Sequence, residues 1–330
     1  MAEHLTPPLL EMRNVGVRLG RDANSPALIE NIDLSIWPGE TVGLVGESGS
    51  GKTTLGMALV RLLPKLLETG LSGEVIYEGR DVLKMGKAEL TRIRGGEISM
   101  ILQDPMASLN PIFTIGNQLR EGLRLNATGT GSLEERAIAA LESVRIPSPK
   151  ARLDNHPHQM SGGMRQRVVG AIALTRAPRL LIADEPTTSL DVTIQYQFLD
   201  LLKDLQKRAG MAMLFITHDF GVVARMCDRV VVMYAGQIVE QGPVRDIFRR
   251  PRHWYTRALL DSVPTVDYAP ARLPTIAGSP PTVADRPAGC RFHPRCPNAQ
   301  AKCRVQMPVL DQGSHAVRCW YPLDRERSAA

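Results

Sequence analysis

The sequence predicts an α/β protein, with buried strands alternating with helices, and three observations carry that expectation. An apolar run, Thr41-Val42-Gly43-Leu44-Val45, leads into a glycine-rich loop and then into a helical pattern, the strand–loop–helix order of a phosphate-binding unit. Apolar runs at 98–102, 180–183 and 211–216 have the length of buried strands, and each ends in a polar cluster. Residues 10–17 and 29–36 alternate with partial period two around a polar turn, as strands with one buried face do.

Taken in order, the central element is Gly46-Glu47-Ser48-Gly49-Ser50-Gly51-Lys52-Thr53, which reads G-x-x-x-x-G-K-[ST]. Gly46, Gly49 and Gly51 let backbone N–H groups converge on phosphate oxygens, and the following helix adds its positive end. Nucleotide would be bound by Gly46, Ser48, Gly49, Ser50, Gly51, Lys52, Thr53 and Thr54. Lys52 would reach the β- and γ-phosphates and Thr53 would offer its hydroxyl to Mg²⁺. A chance glycine-rich turn would give this match in about one chain of this length in a hundred, and the flanking strand and helix argue against it. The helix is expected to run to Leu63, where Pro64 stops it. A short strand is expected at 73–79. The run at 98–102 ends in Gln103-Asp104-Pro105. From about 110 to 175 the pattern is helical, clearest at 133–144 with Leu133, Ala137, Ala140, Leu141 and Val144 on one face.

Ser161-Gly162-Gly163 opens an apolar helix and forms a second place where backbone N–H groups can face an anion; alone, it is ordinary loop chemistry. The run at 180–183 ends in Asp184-Glu185. Beside a P-loop, the first acid holds Mg²⁺ and the second orients or deprotonates the attacking water; without the P-loop they would read as a solvated strand end. Thr187-Thr188-Ser189-Leu190-Asp191 precedes another helix, and the run at 211–216 ends in Thr217-His218-Asp219. Ligands of doubly wound sheets sit beyond the carboxyl ends of strands, which assigns His218 to the ligand.

The 330 residues are 43% hydrophobic, ordinary for a globular chain, and no apolar run nears the ~18 residues of a membrane span. No basic start and apolar block mark a secretory signal, so a reducing cytosol is expected. The net charge of +6 is uneven: residues 245–330 hold 14 Lys+Arg against 7 Asp+Glu, leaving 26 against 27 elsewhere. Nucleic acid, an anionic membrane surface or a bound anionic cofactor would each suit that excess. Residues 264–287 contain six prolines and read as a stiff, extended connection. Cys290, Cys296, Cys303 and Cys319 follow, while Cys227 stands alone on an apolar helix and reads as core. Four clustered cysteines in a reducing compartment point to a metal site. The spacing lacks paired C-x₂-C knuckles, which ranks a four-iron cluster above zinc. Arg291, Arg295, Arg304 and Arg318 neighbour these ligands and would offset the cluster's negative charge.

The order Gly46–Thr53, Gln103, Ser161-Gly162-Gly163, Asp184-Glu185, Ser189-Leu190-Asp191, His218 resembles the nucleotide-binding subunit of ABC transporters over residues 9–250. Gly289–Pro297, His253-Trp254-Tyr255-Thr256 and Gln103–Pro111 resemble the dipeptide/oligopeptide/nickel importer ATPases, extending the likeness to nearly the whole chain. The resemblance implies an α/β P-loop NTPase of the ABC ATPase type with an antiparallel β-subdomain, a helical subdomain and a small C-terminal cysteine-rich metal-binding extension. Its bounds would be 1–250 for the nucleotide-binding domain (helical insert about 106–178), 251–289 for a helix and Pro-rich linker, and 290–330 for the cysteine-rich part with its iron-sulfur site.

It further implies ATP sandwiched between one chain's P-loop and a second ATPase subunit's Ser161-Gly162-Gly163. Thr53, Gln103 and Asp184 would hold Mg²⁺, Asp191 would communicate across the dimer, and His218, with Lys52 and Glu185, would act on the γ-phosphate. The implied partners are that second ATPase, two transmembrane permease subunits at the cytoplasmic face of the membrane, and an extracytoplasmic substrate-binding protein, with no direct nucleic acid. Peptide, nickel, glutathione or an opine remain open as cargo. Met164 replaces the usual Gln, as in the first of two paired ATPases, and Leu19 stands where an aromatic residue usually stacks on adenine. A soluble ABC ATPase acting on nucleic acid or ribosomes through a zinc module is the alternative, although neither a second cassette nor a coiled-coil insert is present. A redox sensor regulated by the cluster is a third reading, which nothing in the sequence requires.

Overall fold

Alternation of buried and exposed positions folds the N-terminal residues into β1 (Leu10–Arg18) and β2 (Ala27–Ile36), paired antiparallel with Leu10 opposite Ile36. The computed structural model describes residues 6–22, 24–125, 130–188, 190–263 and 275–324. Its chain forms two compact units, one of Met1–Trp37, Thr41–Leu83 and Phe215–Ala330, the other of Pro38–Glu40 and Lys84–Leu214.

In the first unit, β3 (Thr41–Val45) is buried at all five residues, as an unbroken apolar run should be in a sheet covered on both faces. It leads through the glycine-rich loop to α1 (Lys52–Leu59). The helix ends four residues before the expected Leu63, because Arg61 turns left-handed at φ +50° and pairs its guanidinium with Glu68 at 3.1 Å. Pro64 instead caps α2 (Lys65–Glu68). Then β4 (Leu71–Tyr77) and β5 (Arg80–Asp81) complete an antiparallel sheet in the order β2-β1-β4-β5. Asn14, at φ +48°, marks a register shift in β1, and its N–H donates to Asp33 Oδ1 at 2.8 Å.

The second unit contains α3 (Lys87–Ile93), β6 (Ile98–Ile101), α4 (Pro105–Ser108), α5 (Ile115–Arg124), α6 (Leu133–Ser143), α7 (Pro149–Arg152) and α8 (Gly162–Leu174). Ser132 and Glu135 cap α6 reciprocally, and Ala137 and Leu141 are buried, so capping chemistry and apolar period agree there. Next come β7 (Leu180–Asp184), parallel to β6, and α9 (Val192–Ala209), which Gly210 ends in a left-handed cap. Gln206 Nε2 ties that end by donating to the carbonyls of Gly39 at 2.7 Å and Met211 at 2.9 Å.

Strand β8 (Ala212–Ile216) returns the chain to the first unit. There α10 (Phe220–Met226), β9 (Arg229–Tyr234), β10 (Gln237–Pro243), α11 (Val244–Arg249), α12 (Trp254–Asp261), α13 (Ala301–Val305) and β11 (Ala316–Val317) follow. Strands β11, β10, β9 and β3 are neighbours in that order, with β3 and β9 parallel. Phe292 of the C-terminal segment is buried in one cluster with Val45, Tyr234 and Tyr255, so this segment shares the core of the nucleotide-loop unit. Cys227 caps α10 half-buried against that cluster. Of the proline-rich connection, Pro264, Pro270 and Pro274 lie outside the described residues. Among the described residues no helix is long and apolar enough to cross a membrane.

Glu240 fastens the C-terminal segment. Fully buried on β10, its carboxylate accepts the N–H groups of Arg252 at 2.6 Å and His253 at 2.9 Å, and it pairs with His315 Nε2 at 2.7 Å. Removing the carboxylate leaves these buried partners unsatisfied, so Glu240→Ala should cost about 3 kcal/mol. Calorimetry should show a lowered unfolding midpoint; an unchanged midpoint would contradict this role.

Candidate functional site

The phosphate-binding loop takes its shape from backbone that only glycine tolerates well. Gly46, Gly49 and Gly51 have φ of +154°, +77° and +101°. A Cβ at Gly46 would overlap the carbonyl oxygen of Met233, and one at Gly51 would lie 2.5 Å from Ile29 Cγ2, whereas Gly49 faces open space. The loop is therefore pressed against β9 and β2 on one side and open on the other. Gly236 N–H donates to the Ser50 carbonyl at 2.9 Å from the β9–β10 turn. Lys52 is buried, and its ammonium donates to the carbonyls of Gly46 at 2.8 Å and Glu47 at 3.0 Å. Ser50 Oγ is buried without a hydrogen-bond partner. Thr53 is exposed and Thr54 half-buried on the first turn of α1.

His218 is also in the first unit, exposed after β8. Thr217 N–H donates to the Leu44 carbonyl at 3.1 Å, fixing the backbone before it, and Asp219 caps α10. Leu19, 41% exposed, presents an aliphatic side chain at the surface.

The second unit brings together the carboxylate end of β7 and Gln103. Asp184 is buried at the strand's last position. Glu185 follows at φ +44°, a conformation costly for a side chain of its kind and found where geometry is imposed by the surroundings. Its Oε2 accepts from Thr188 Oγ1 at 2.9 Å and Gln103 Nε2 at 3.2 Å. A separate groove in this unit is lined by Ser161, Gly162, Gly163, Met164, Arg167, Leu190, Asp191 and Ile194. Ser161 caps α8 by accepting Met164 N–H at 3.3 Å, and Asp191 caps α9 by accepting Ile194 N–H at 3.1 Å. Gly163 is required by packing, since a Cβ would lie 2.6 Å from Ile194 Cγ2, while Gly162 faces open space. Met164 lines the groove and joins the cap through its backbone, which any residue supplies. Ser189 lies outside the described residues.

The four C-terminal cysteines, Cys290, Cys296, Cys303 and Cys319, line one small cavity with His253 and Trp320. All are free thiols. Burial pushes the Cys290 thiol up, Cys296 to about 11 and Cys319 to about 12; these three are neutral near pH 7. Among the described residues, however, no three His, Cys, Asp or Glu side chains are grouped so that they could hold a metal ion. The described side chains therefore do not support the expected metal centre: the four thiols border a common cavity but are not grouped to hold an ion. The neighbouring arginines also act differently from the expected charge balance. Arg291 pairs with Glu30 and the Ala235 carbonyl, Arg295 with Glu47 at 2.7 Å, and Arg318 donates to the Ile238 carbonyl at 2.8 Å. Arg304 is exposed. Three of the four therefore anchor the segment to the rest of its unit.

Sequence reading missed Glu47, Tyr255 and Arg295 as parts of the loop's support. Glu47 occupies a position the motif leaves free, and no spacing rule joins it to residues more than two hundred positions away.

Residues 29–188 match the family described as ABC transporter, and residues 239–303 match the oligopeptide/dipeptide transporter C-terminal region. A Sinorhizobium fredii chain named "Probable peptide ABC transporter ATP-binding protein" is 46% identical over 316 residues, 94% of each chain. A Brucella melitensis chain named "Putative peptide import ATP-binding protein" is 47% identical over 316 residues, 95% of each chain. The dimeric structure of an ATP-binding cassette in a post-hydrolysis state, bound to ADP and Pi, is similar at 28% identity and TM-score 0.63. The likeness covers 72% of this chain and 99% of that one.

The loop's two faces give unequal sensitivities to added side chains. Gly46→Ala should lower stability by about 3 kcal/mol through strain and backbone overlap, whereas Gly49→Ala should lose only ~1 kcal/mol from its left-handed φ. Equal shifts of the two variants in thermal unfolding would contradict the described packing.

Proposed function

The chain belongs to the ATP-binding subunits of ABC transporters, and from that premise we propose that it is the motor of a binding-protein-dependent importer of di- or oligopeptides. The observation that carries this reading is the extent of the likeness, which runs through the cassette and into the oligopeptide/dipeptide transporter C-terminal region. The chain is an ABC-type ATPase. We propose that it sits peripherally at the cytoplasmic face of a membrane and acts on two transmembrane permease subunits, with a substrate-binding protein delivering peptide from the other side. Met164 suits a heterodimer with a second ATPase subunit.

Phosphoryl transfer needs little covalent chemistry from the protein, so positioning and charge neutralisation carry catalysis. In this proposal the amides of Gly46 and of residues 48–54 take the phosphates, and Lys52 exchanges its two carbonyl partners for β- and γ-phosphate oxygens. Ser50 Oγ, buried and without a hydrogen-bond partner in the loop, supports an anion there. Thr53, Gln103 and Asp184 would hold Mg²⁺, which would supply neutralising charge. Glu185, oriented by Thr188 and Gln103, receives the proton of the attacking water, and His218 steadies the γ-phosphate. Ser161, Gly162 and Gly163 face the nucleotide of the partner ATPase, and Asp191 links the two sites.

Leu19 gives the base an aliphatic surface in place of a ring, so discrimination between ATP and GTP is weak in this proposal. At the C-terminus we propose that Cys290, Cys296, Cys303 and Cys319, which as described are not grouped to hold a metal ion, would close on a four-iron, four-sulfur cluster, with zinc as the second choice. Four thiols on one cavity and the absence of disulfides support it. When bound, such a cluster supplies a cross-link among four thiolates.

Glu185→Gln should reduce ATP turnover by at least about a hundredfold while leaving equilibrium ATP binding intact; near-normal turnover would refute Glu185 as the base. Anaerobic purification followed by iron, sulfide and zinc analysis should find about four irons per chain, and one zinc or no metal would overturn the cluster. Co-purification from its native membranes with transmembrane permease subunits should occur, and bound nucleic acid without them would overturn the importer reading.

A further inference from the structure

We propose that Arg295, supplied by the cysteine-bearing C-terminal segment, is a positioning residue for the nucleotide loop. It acts through Glu47, so that ATP affinity draws on the seating of that segment. The inference rests on the ATPase reading above.

Glu47 is the second residue of the loop, and every polar group it owns is engaged. Its carboxylate receives Arg295 in a two-pronged pair, Nη1 to Oε2 at 2.7 Å and Nη2 to Oε1 at 3.0 Å. Its N–H donates to the Tyr255 hydroxyl at 2.8 Å, and its carbonyl accepts from Lys52 Nζ at 3.0 Å and Ser50 N–H at 3.2 Å. The residue is thus a hub between the outer support and the lysine that would meet phosphate. Glu47 N–H is turned to Tyr255, so its contribution to phosphate binding is to hold the loop's shape.

Arg295 is itself immobilised. Its side chain is only 5% exposed. Nε donates to the Ala277 carbonyl at 3.0 Å and Nη1 to the Tyr234 hydroxyl at 3.3 Å, while the guanidinium lies 5.8 Å from the Tyr234 ring centre and 5.9 Å from that of Phe292. A planar two-pronged pair with a fixed fork transmits orientation as well as charge. Arg295 adjoins Cys296, and Phe292 between Cys290 and Cys296 is packed into the same core cluster. The loop is therefore shaped on one side by the motif's own glycines and on the other by an arginine 248 positions away in sequence. Unlike a stability anchor such as Arg318, which bonds backbone carbonyls of β10 and the C-terminal segment, Arg295 ends on the loop that carries Lys52.

The test is equilibrium MgATP binding and steady-state hydrolysis by the full chain with its transporter partners, for wild type, Arg295→Ala, Arg295→Lys, Glu47→Gln and the exchange Glu47→Arg with Arg295→Glu. Arg295→Ala should raise Kd and KM about tenfold and Arg295→Lys about threefold, with kcat at saturating ATP within about twofold of wild type. Glu47→Gln should match Arg295→Ala, and the exchange should recover part of the affinity. Unchanged Kd in Arg295→Ala, or a loss of kcat and unfolding midpoint with no Kd change, would overturn the proposal. Wild type that fails to bind MgATP would instead overturn the ATPase reading beneath it.

Discussion

The rest of the structure depends on a backbone contact: the phosphate loop rests directly on the end of β9, with no side chain between Gly46 and the Met233 carbonyl. The buried strand β3 delivers the loop to that position, the β9–β10 turn receives Ser50 through Gly236, and α1 leaves from the far side. Close approach of this kind leaves the outer face, at Gly49, free for a ligand. It also explains why three residues of one loop adopt positive φ, a conformational demand that glycine meets at the lowest cost.

The second unit solves a different problem, that of aiming a carboxylate. Strand β7 ends with Asp184 buried, and the left-handed turn at Glu185 swings the next carboxylate onto Thr188 and Gln103. The same unit presents Ser161 and Asp191 as the caps of α8 and α9, one on each side of a shared groove. The side chains that satisfy these helix ends also line the groove in which Gly162 faces open space.

Much of this was legible in the sequence because local chemistry encodes it. The strand before Gly46, the apolar period of the 133–144 helix, and the polar endings of the 98–102 and 180–183 runs all have rules of spacing behind them. What escaped was encoded nowhere locally. The α1 helix stops at Leu59 because Arg61 turns to meet Glu68, a choice no breaker residue announces. The arginines beside the cysteines carry charge that composition suggests for an anionic cluster, yet Arg291, Arg295 and Arg318 reach into the first unit's core, and the pair between Arg295 and Glu47 joins residues far apart in the chain. The thiols come to one cavity as the clustering suggests, but the described side chains are not grouped to hold a metal ion.

The central claim is that ATP hydrolysis at this loop drives peptide import through separate membrane subunits. The most direct measurement is the ATPase rate of the chain assembled with its permease and second ATPase in lipid vesicles, with and without peptide-loaded binding protein. A severalfold rise on adding the loaded binding protein, together with peptide accumulation, is the predicted result. A rate indifferent to binding protein and peptide would contradict the account.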